Sequence, residues 1–271
     1  MDINKIYCMD NVDGMKQLDT ESVDLTVTSP PYDKLRNYKM FSWDFESVAR
    51  QLLRVTKIGG VVVWIVNDST IKGSETGTSF RQALKFMETG FLLHDTMIYH
   101  KNNPMPQEIG KRYQPSFEYM FVLSKGRIKT FNPIKVPAIK FGKVKPKIFS
   151  SGNRQVDGTS KPFFSHHNKN EMKFRHNVWS YNVQANSSSK DRIAYKHPAI
   201  FPEELAKDHI LSWSNIGDLV LDPFIGSGTT AKMARLTGRN FIGFEVSQEY
   251  VEIANERLGN NILGAQRKGK P

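Results

Sequence analysis

Short apolar runs alternate with amphipathic stretches along most of the chain. Val23-Asp24-Leu25-Thr26-Val27 has the β-branched composition of a strand and stops at Ser29-Pro30-Pro31. From Phe45 to Thr56, the apolar residues Val48, Leu52, Leu53 and Val55 recur at helical spacing, which predicts an amphipathic helix. Gly59-Gly60 breaks that helix, and the apolar run Val61 to Val66 reads as a strand buried on both faces. Phe80 to Glu88 predicts a helix closed by Gly90, and Leu92 to His100 and Glu118 to Ser124 predict two more strands. After a long polar stretch the pattern resumes. Pro202 to Trp213 reads as a helix, Leu219-Val220-Leu221 as a short buried strand, and Thr229 to Leu236 as a helix ended by Gly238. Asn240 to Phe244 and Gln248 to Leu258 complete the series as a strand and a helix. The alternation predicts an α/β fold, a doubly wound and mostly parallel sheet with helices on both faces.

Composition narrows the class. A chain of 271 residues can bury the core of one large domain or of a domain carrying an insertion. Hydrophobic residues at 39% and charged residues at 24% exclude wholesale disorder. The longest apolar run has six residues, against the roughly 20 that a membrane span needs. Met1-Asp2-Ile3-Asn4-Lys5 lacks a secretory layout, so the expected location is cytoplasmic, with no membrane partner. The single cysteine, Cys8, supplies neither an internal disulfide nor a thiolate cluster, and it reads as a small core residue. His166 and His167 stand in a Lys- and Asn-rich stretch without nearby carboxylates, so no metal site is expected.

The net charge of +11 has one source. Residues 125–176 hold thirteen Lys or Arg against Asp157 and Glu171, and the rest of the chain balances. Six phenylalanines lie among those cations, with Gly, Pro, Ser and Asn between them. Cations neutralise phosphates and aromatic rings stack on bases, so the block points to nucleic acid more than to a solvated loop. Lys140, Lys143, Lys145, Lys147, Arg154, Lys161, Lys173 and Arg175 are the candidate DNA contacts.

Two motifs carry candidate chemistry. Asp222-Pro223-Phe224-Ile225-Gly226-Ser227-Gly228-Thr229-Thr230 leaves a strand and opens a helix, where glycines admit close approach of a ligand. Gly226, Gly228 and Ala231 also satisfy the dinucleotide spacing G-x-G-x-x-A, and Glu245 ends the next strand where a carboxylate can accept ribose hydroxyls. On this motif alone, a nicotinamide oxidoreductase stays open beside other nucleoside cofactors. The second motif, Thr28-Ser29-Pro30-Pro31-Tyr32, sits at the C-terminal end of a strand, where doubly wound sheets gather their sites.

Ser29-Pro30-Pro31-Tyr32 resembles the active-site signature of the amino DNA methyltransferases, and the glycine motif resembles their S-adenosylmethionine site. The order of catalytic tetrapeptide, basic region and cofactor motif is similar to the β class, a circularly permuted methyltransferase sheet. The resemblance covers roughly residues 5–258. It implies a site-specific enzyme that moves a methyl group from S-adenosyl-L-methionine to the exocyclic amine of a flipped-out base in double-stranded DNA. Ser29, Pro30, Pro31 and Tyr32 would be catalytic, and Asp10, His197, Asp222, Phe224, Gly226, Gly228, Thr229, Thr230 and Glu245 would bind the cofactor. Serine at position 29 is the form typical of cytosine-N4 enzymes, whereas adenine-N6 enzymes more often carry Asp or Asn. Cytosine N4 is therefore expected ahead of adenine N6.

The resemblance also implies an organisation. Residues 1–124 and 179–258 would form the catalytic and cofactor-binding halves, 125–178 a target-recognition insertion and 259–271 a basic tail. A companion restriction endonuclease, or a solitary existence, and a homodimer belong to the same expectation.

Overall fold

A computed structural model describes residues 1–31, 43–106, 110–138, 148–149, 155–159, 163–164, 171–183, 188–189, 191–197 and 200–267. The first half runs β1 (Lys5–Cys8), α1 (Asn11–Lys16), β2 (Val23–Thr28), α2 (Phe45–Val55), β3 (Thr56–Val66), β4 (Thr70–Ile71), β5 (Ser74–Glu75), α3 (Thr78–Thr89), β6 (Leu92–Lys101) and β7 (Phe117–Ser124). Then come β8 (Lys135–Pro137), β9 (Ile148–Phe149), β10 (Phe163–Phe164), β11 (Met172–Phe174) and β12 (Val178–Tyr181). A 3₁₀ turn at Arg192–Lys196 leads into α4 (Glu203–Trp213), β13 (Leu219–Asp222), α5 (Thr229–Leu236), β14 (Asn240–Glu245) and α6 (Gln248–Arg267).

The chain forms two compact units. Residues 1–132 and 177–271 make one, and residues 133–176 the other. The larger unit is built on a sheet ordered β1-β14-β13-β2-β3-β7-β6-β12. β7 runs against β3 and β6, and the other pairings are parallel. In the smaller unit, β8 pairs antiparallel with β11, and β9 with β10.

The apolar run Val61 to Val66 explains why β3 sits centrally, because every one of its side chains is buried. Val62, Trp64 and Val66 face a core shared with Met15, Val48, Leu52, Val55 and Phe86 of α1, α2 and α3. Their alternates Val61, Val63 and Ile65 face the other way, on the side where α4 packs against β2 and β3 and α5 against β13 and β14. Asp44 caps α2 by accepting from the Glu46 amide at 3.0 Å, and its stripe Val48-Ala49-Leu52-Val55 is buried at helical spacing. The helix ends at Val55 and the strand begins at once, running through Gly59-Gly60 with a register shift opposite Val23–Leu25. The sequence pattern places that boundary five residues later. Gly59 takes φ 84° in this irregular stretch, and backbone bonds from its amide to the Lys125 carbonyl and from the Lys125 amide to the Gly60 carbonyl carry the strand through it.

Cys8 corrects another expectation: it is exposed, at the end of edge strand β1, which pairs with β14 alone. Among the described residues, no helix is long and apolar enough to cross a membrane.

The sheet has a topological switch point. From β13 the chain winds outward to β14, and from the adjacent β2 it winds the opposite way to β3. Loops leaving the carboxyl ends of β2 and β13 therefore diverge and open a crevice.

Candidate active site

Both motifs meet at that crevice. β2 delivers Ser29, Pro30 and Pro31, and β13 delivers Asp222 and the glycine loop. A hydrogen bond joins them: the buried Thr28 hydroxyl donates to Asp222 Oδ1 at 2.7 Å. A cavity of about 1420 Å³ opens above this junction. Ser29, Pro30 and Pro31 line it together with Asp10, Trp43, His197, Phe224, Gly226, Thr229 and Glu245. Tyr32 lies outside the described residues.

The glycine loop is shaped by backbone that L side chains resist. Gly226 takes φ 48° and Gly228 φ 82°. A Cβ on Gly226 would fall 2.9 Å from His197 Nε2, and one on Gly228 would fall 2.8 Å from Ala254 Cβ of α6. The first glycine thus lets His197 lie against the loop, and the second lets α5 and α6 close together. Gly228 and Thr230 are not part of the cavity lining, since the Thr230 hydroxyl donates to the Val27 carbonyl at 3.2 Å. They hold the loop from behind.

The acids have separate settings. Glu245 accepts the Gly226 amide at 3.2 Å and the Ser247 amide at 2.9 Å, and burial raises its carboxyl above the usual range. Asp222 sits beneath the cavity wall, buried, with Oδ1 also accepting the Phe224 amide at 3.0 Å. Its Oδ2 is buried and meets no hydrogen-bond partner among the described residues. Burial pushes the Asp222 carboxyl up to about 6, against the pull of the Thr28 hydroxyl. Asp10 caps α1, its Oδ1 accepting the Val12 and Asp13 amides at 2.8 and 3.2 Å. His197 is buried at the cavity wall, its ring edge-on to Tyr250 at 4.4 Å between centroids.

Some lining residues carried no sequence signal. Trp43 packs edge-on against Phe224 at 4.9 Å and belongs to an aromatic cluster with Phe45, Trp64 and Phe86. On the far wall, Lys101 pairs with Glu118 at 2.6 Å beside Tyr99, whose phenol burial raises. A strand-end Lys and a strand-start Glu across an antiparallel pair hint at that bond; nothing local marks Trp43. Of the candidate DNA contacts, Lys173 and Arg175 lie in and beside β11 of the smaller unit, with Lys173 Nζ 3.0 Å from His176 Nε2. Lys140, Lys143, Lys145, Lys147, Arg154 and Lys161 lie outside the described residues, as do His166 and His167.

A doubly wound sheet with one reversed strand, a glycine loop after β13 and an acid ending β14 defines the Rossmann-like methyltransferase class. The family model for DNA methylases of the N6/N4 type matches residues 23–256. The chain belongs to that family. It is 55% identical over 246 residues to the orphan methyltransferase M.BamHII of Bacillus amyloliquefaciens, covering 89% of this chain and 91% of the relative. The Type II methyltransferase M.SmaI of Serratia marcescens is 28% identical over 94% of this chain and 90% of its own length. Among solved structures, the cytosine-N4-specific PvuII methyltransferase superposes with a TM-score of 0.68 at 20% identity, covering 93% of this chain and 85% of that one. M1.HpyAVI in complex with S-adenosylmethionine superposes with 0.60 at 26% identity, covering 94% and 98%. The chain is thus an S-adenosylmethionine-dependent DNA methyltransferase of the N4/N6 class.

The residues present fit that cofactor. Glu245 offers carboxylate oxygens to the cavity, and the Gly226 cradle leaves no room for a side chain.

Proposed function

We propose that the chain methylates the exocyclic amine of a base drawn out of duplex DNA, and that the amine is cytosine N4. The carrying observation is the position of Ser29-Pro30-Pro31, on the wall of the cavity that Phe224, Gly226 and Glu245 also line. In this reading Glu245 accepts the ribose hydroxyls of S-adenosylmethionine, Asp10, His197, Phe224, Gly226 and Thr229 hold the rest, and Asp222, Gly228 and Thr230 support the loop from behind. The cofactor supplies a methyl group on an electrophilic sulfonium. The chain supplies the rest by positioning. A cytosine or adenine amine is a poor nucleophile because its lone pair is delocalised into the ring. The Ser29 side chain and the Pro30 carbonyl accept the two amino hydrogens and favour a tetrahedral nitrogen. Pro30 and Pro31 hold that carbonyl still, because their φ angles are fixed. Tyr32 stacks on the extruded base, which is unreachable inside the duplex. Fixed dipoles and alignment then carry the rate, without a covalent intermediate.

Serine at position 29 supports cytosine over adenine. Identity of 55% to an orphan methyltransferase supports a solitary enzyme rather than half of a restriction pair. The test is to incubate DNA with protein and S-adenosylmethionine, digest it and identify the modified nucleoside by mass. N4-methylcytosine is the expected product; N6-methyladenine overturns the base, and an unmodified digest overturns the activity. Ser29→Ala should slow single-turnover transfer by on the order of 10²–10³ while cofactor affinity holds. Full transfer in that variant would reduce the motif to a structural turn.

A further inference from the structure

Behind the glycine loop, away from the cavity, lies a cluster of charges, its cations buried and its acids half-buried, that the chemistry above does not use. Arg257 of α6 is fully buried, and Lys232 of α5 nearly so. Two acids face both cations. Lys232 Nζ donates to Asp191 Oδ2 and to Glu203 Oε1, each at 2.7 Å. Arg257 donates from Nε to Asp191 Oδ2 at 3.2 Å and from Nη2 to Glu203 Oε1 at 2.7 Å. Ser189 closes the set, its hydroxyl donating to Glu203 Oε1 at 2.6 Å. Formal charge cancels, two cations against two anions, as the burial of Arg257 and Lys232 requires.

The third nitrogen of Arg257 points elsewhere. Nη1 donates to the Ser227 carbonyl, to Ser227 Oγ at 3.0 Å and to Thr229 Oγ1 at 3.2 Å. Ser227 and Thr229 both line the cavity, and between them Gly228 holds φ 82°. The other end of the cluster reaches the same loop by a second route. Asp191 starts the 3₁₀ turn that ends at His197, and His197 rests against Gly226. A planar guanidinium with three bonded nitrogens can hold carboxylates and a loop at once, and an ammonium cannot.

We propose that Arg257 is a positioning residue, which fixes the Ser227–Thr229 turn in its cofactor-receiving shape by bridging it to the Asp191–Glu203 pair. Among the described residues the Lys232 side chain bonds the acids alone, and its one link to the loop is the helical backbone bond from its amide to the Gly228 carbonyl at 2.9 Å, which no side-chain substitution removes. The inference rests on the reading of the cavity as the S-adenosylmethionine site, and it adds a residue that touches neither cofactor nor DNA. It separates two roles that a buried ion cluster usually merges, holding the fold and shaping the site.

Substitutions can pull these roles apart. Arg257→Lys keeps the buried charge, so the fold is retained, but it cannot reach the acids and the turn together. Its affinity for S-adenosylhomocysteine should fall by about ten- to a hundredfold by calorimetry. KM for S-adenosylmethionine should rise in step, while kcat at saturating cofactor and the affinity for DNA stay within about threefold. Lys232→Met strips a partner from both acids and lowers the melting temperature, yet leaves cofactor affinity within about threefold because Arg257 still holds the turn. Should Lys232→Met not fold, the split between KM and kcat in Arg257→Lys carries the test. Wild-type cofactor affinity in folded Arg257→Lys, whatever its melting temperature, would show that the cluster only stabilises and would sink the inference. Absence of S-adenosylhomocysteine binding to the unmodified protein would instead remove the reading of the cavity.

Discussion

Asp222 shows how much one buried carboxyl can do. It receives Thr28 and Phe224 on one oxygen, leaves the other unmatched, and is pushed up to about 6 by burial. An acid whose folded value lies above its unfolded value of 3.8 stabilises the fold while protonated. That contribution is complete below about pH 4 and is lost as pH rises through about 6, at a cost on the order of 3 kcal/mol. Denaturant unfolding of the cofactor-free protein should therefore weaken across that window, and Asp222→Asn should flatten the trend. Identical pH profiles in the two proteins would mean that this carboxyl does not titrate there. Residues of this kind were legible in the sequence, because Asp222 and Glu245 end strands and Ser29 follows the end of one, the first two beside or inside recognisable motifs and the last within one. Trp43 and Arg257 were not. Their importance comes from neighbours such as Phe224 and Ser227, respectively 181 and 30 positions away, and no local pattern encodes that.

At the scale of elements, the hinge between loop and helix is Gly228, where α5 starts and α6 presses in. Gly228→Ala adds a methyl group to a left-handed residue and drives it into Ala254. The backbone strain alone should cost about 1–3 kcal/mol, and the collision more. Gly217→Ala is the matched control, since Gly217 has φ 87° and open space around its missing Cβ. Thermal unfolding should rank Gly228→Ala as clearly less stable than Gly217→Ala. Equal melting temperatures would locate the whole cost in the backbone and none in the packing of α5 on α6. The longer elements follow from periodicity: α2, α3, α4 and α5 lie within two or three residues of where the apolar spacing places them. β1 and α1 escaped notice because four and six residues are too few to display a period.

At the scale of the molecule, the cavity is lined from the larger unit, whereas most of the net positive charge falls in residues 133–176. Binding of methyl donor and binding of DNA should then respond to different substitutions. Replacing Lys140, Lys143, Lys145 and Lys147 by alanine should weaken DNA of every sequence. The slope of log affinity against log salt should flatten by about 0.9 for each phosphate that is no longer neutralised. Cofactor affinity should not change. An unaltered salt slope would make these lysines solvated bystanders and would move the electrostatic footprint elsewhere.

By itself the sequence determined the α/β class, the two motifs at strand ends and the confinement of charge to one block. Each is a property of short stretches, where side-chain period, glycine placement and composition act locally. The tertiary structure decided what depends on distant partners. It reversed β7, since strands joined without a crossover helix can pair antiparallel and the apolar pattern of a strand has no direction. It placed β13 beside β2, so that Thr28 reaches Asp222 across 194 positions and two motifs become one cavity. It also turned Arg257 inward onto the glycine loop, where burial and charge pairing, neither visible along the chain, give it a role.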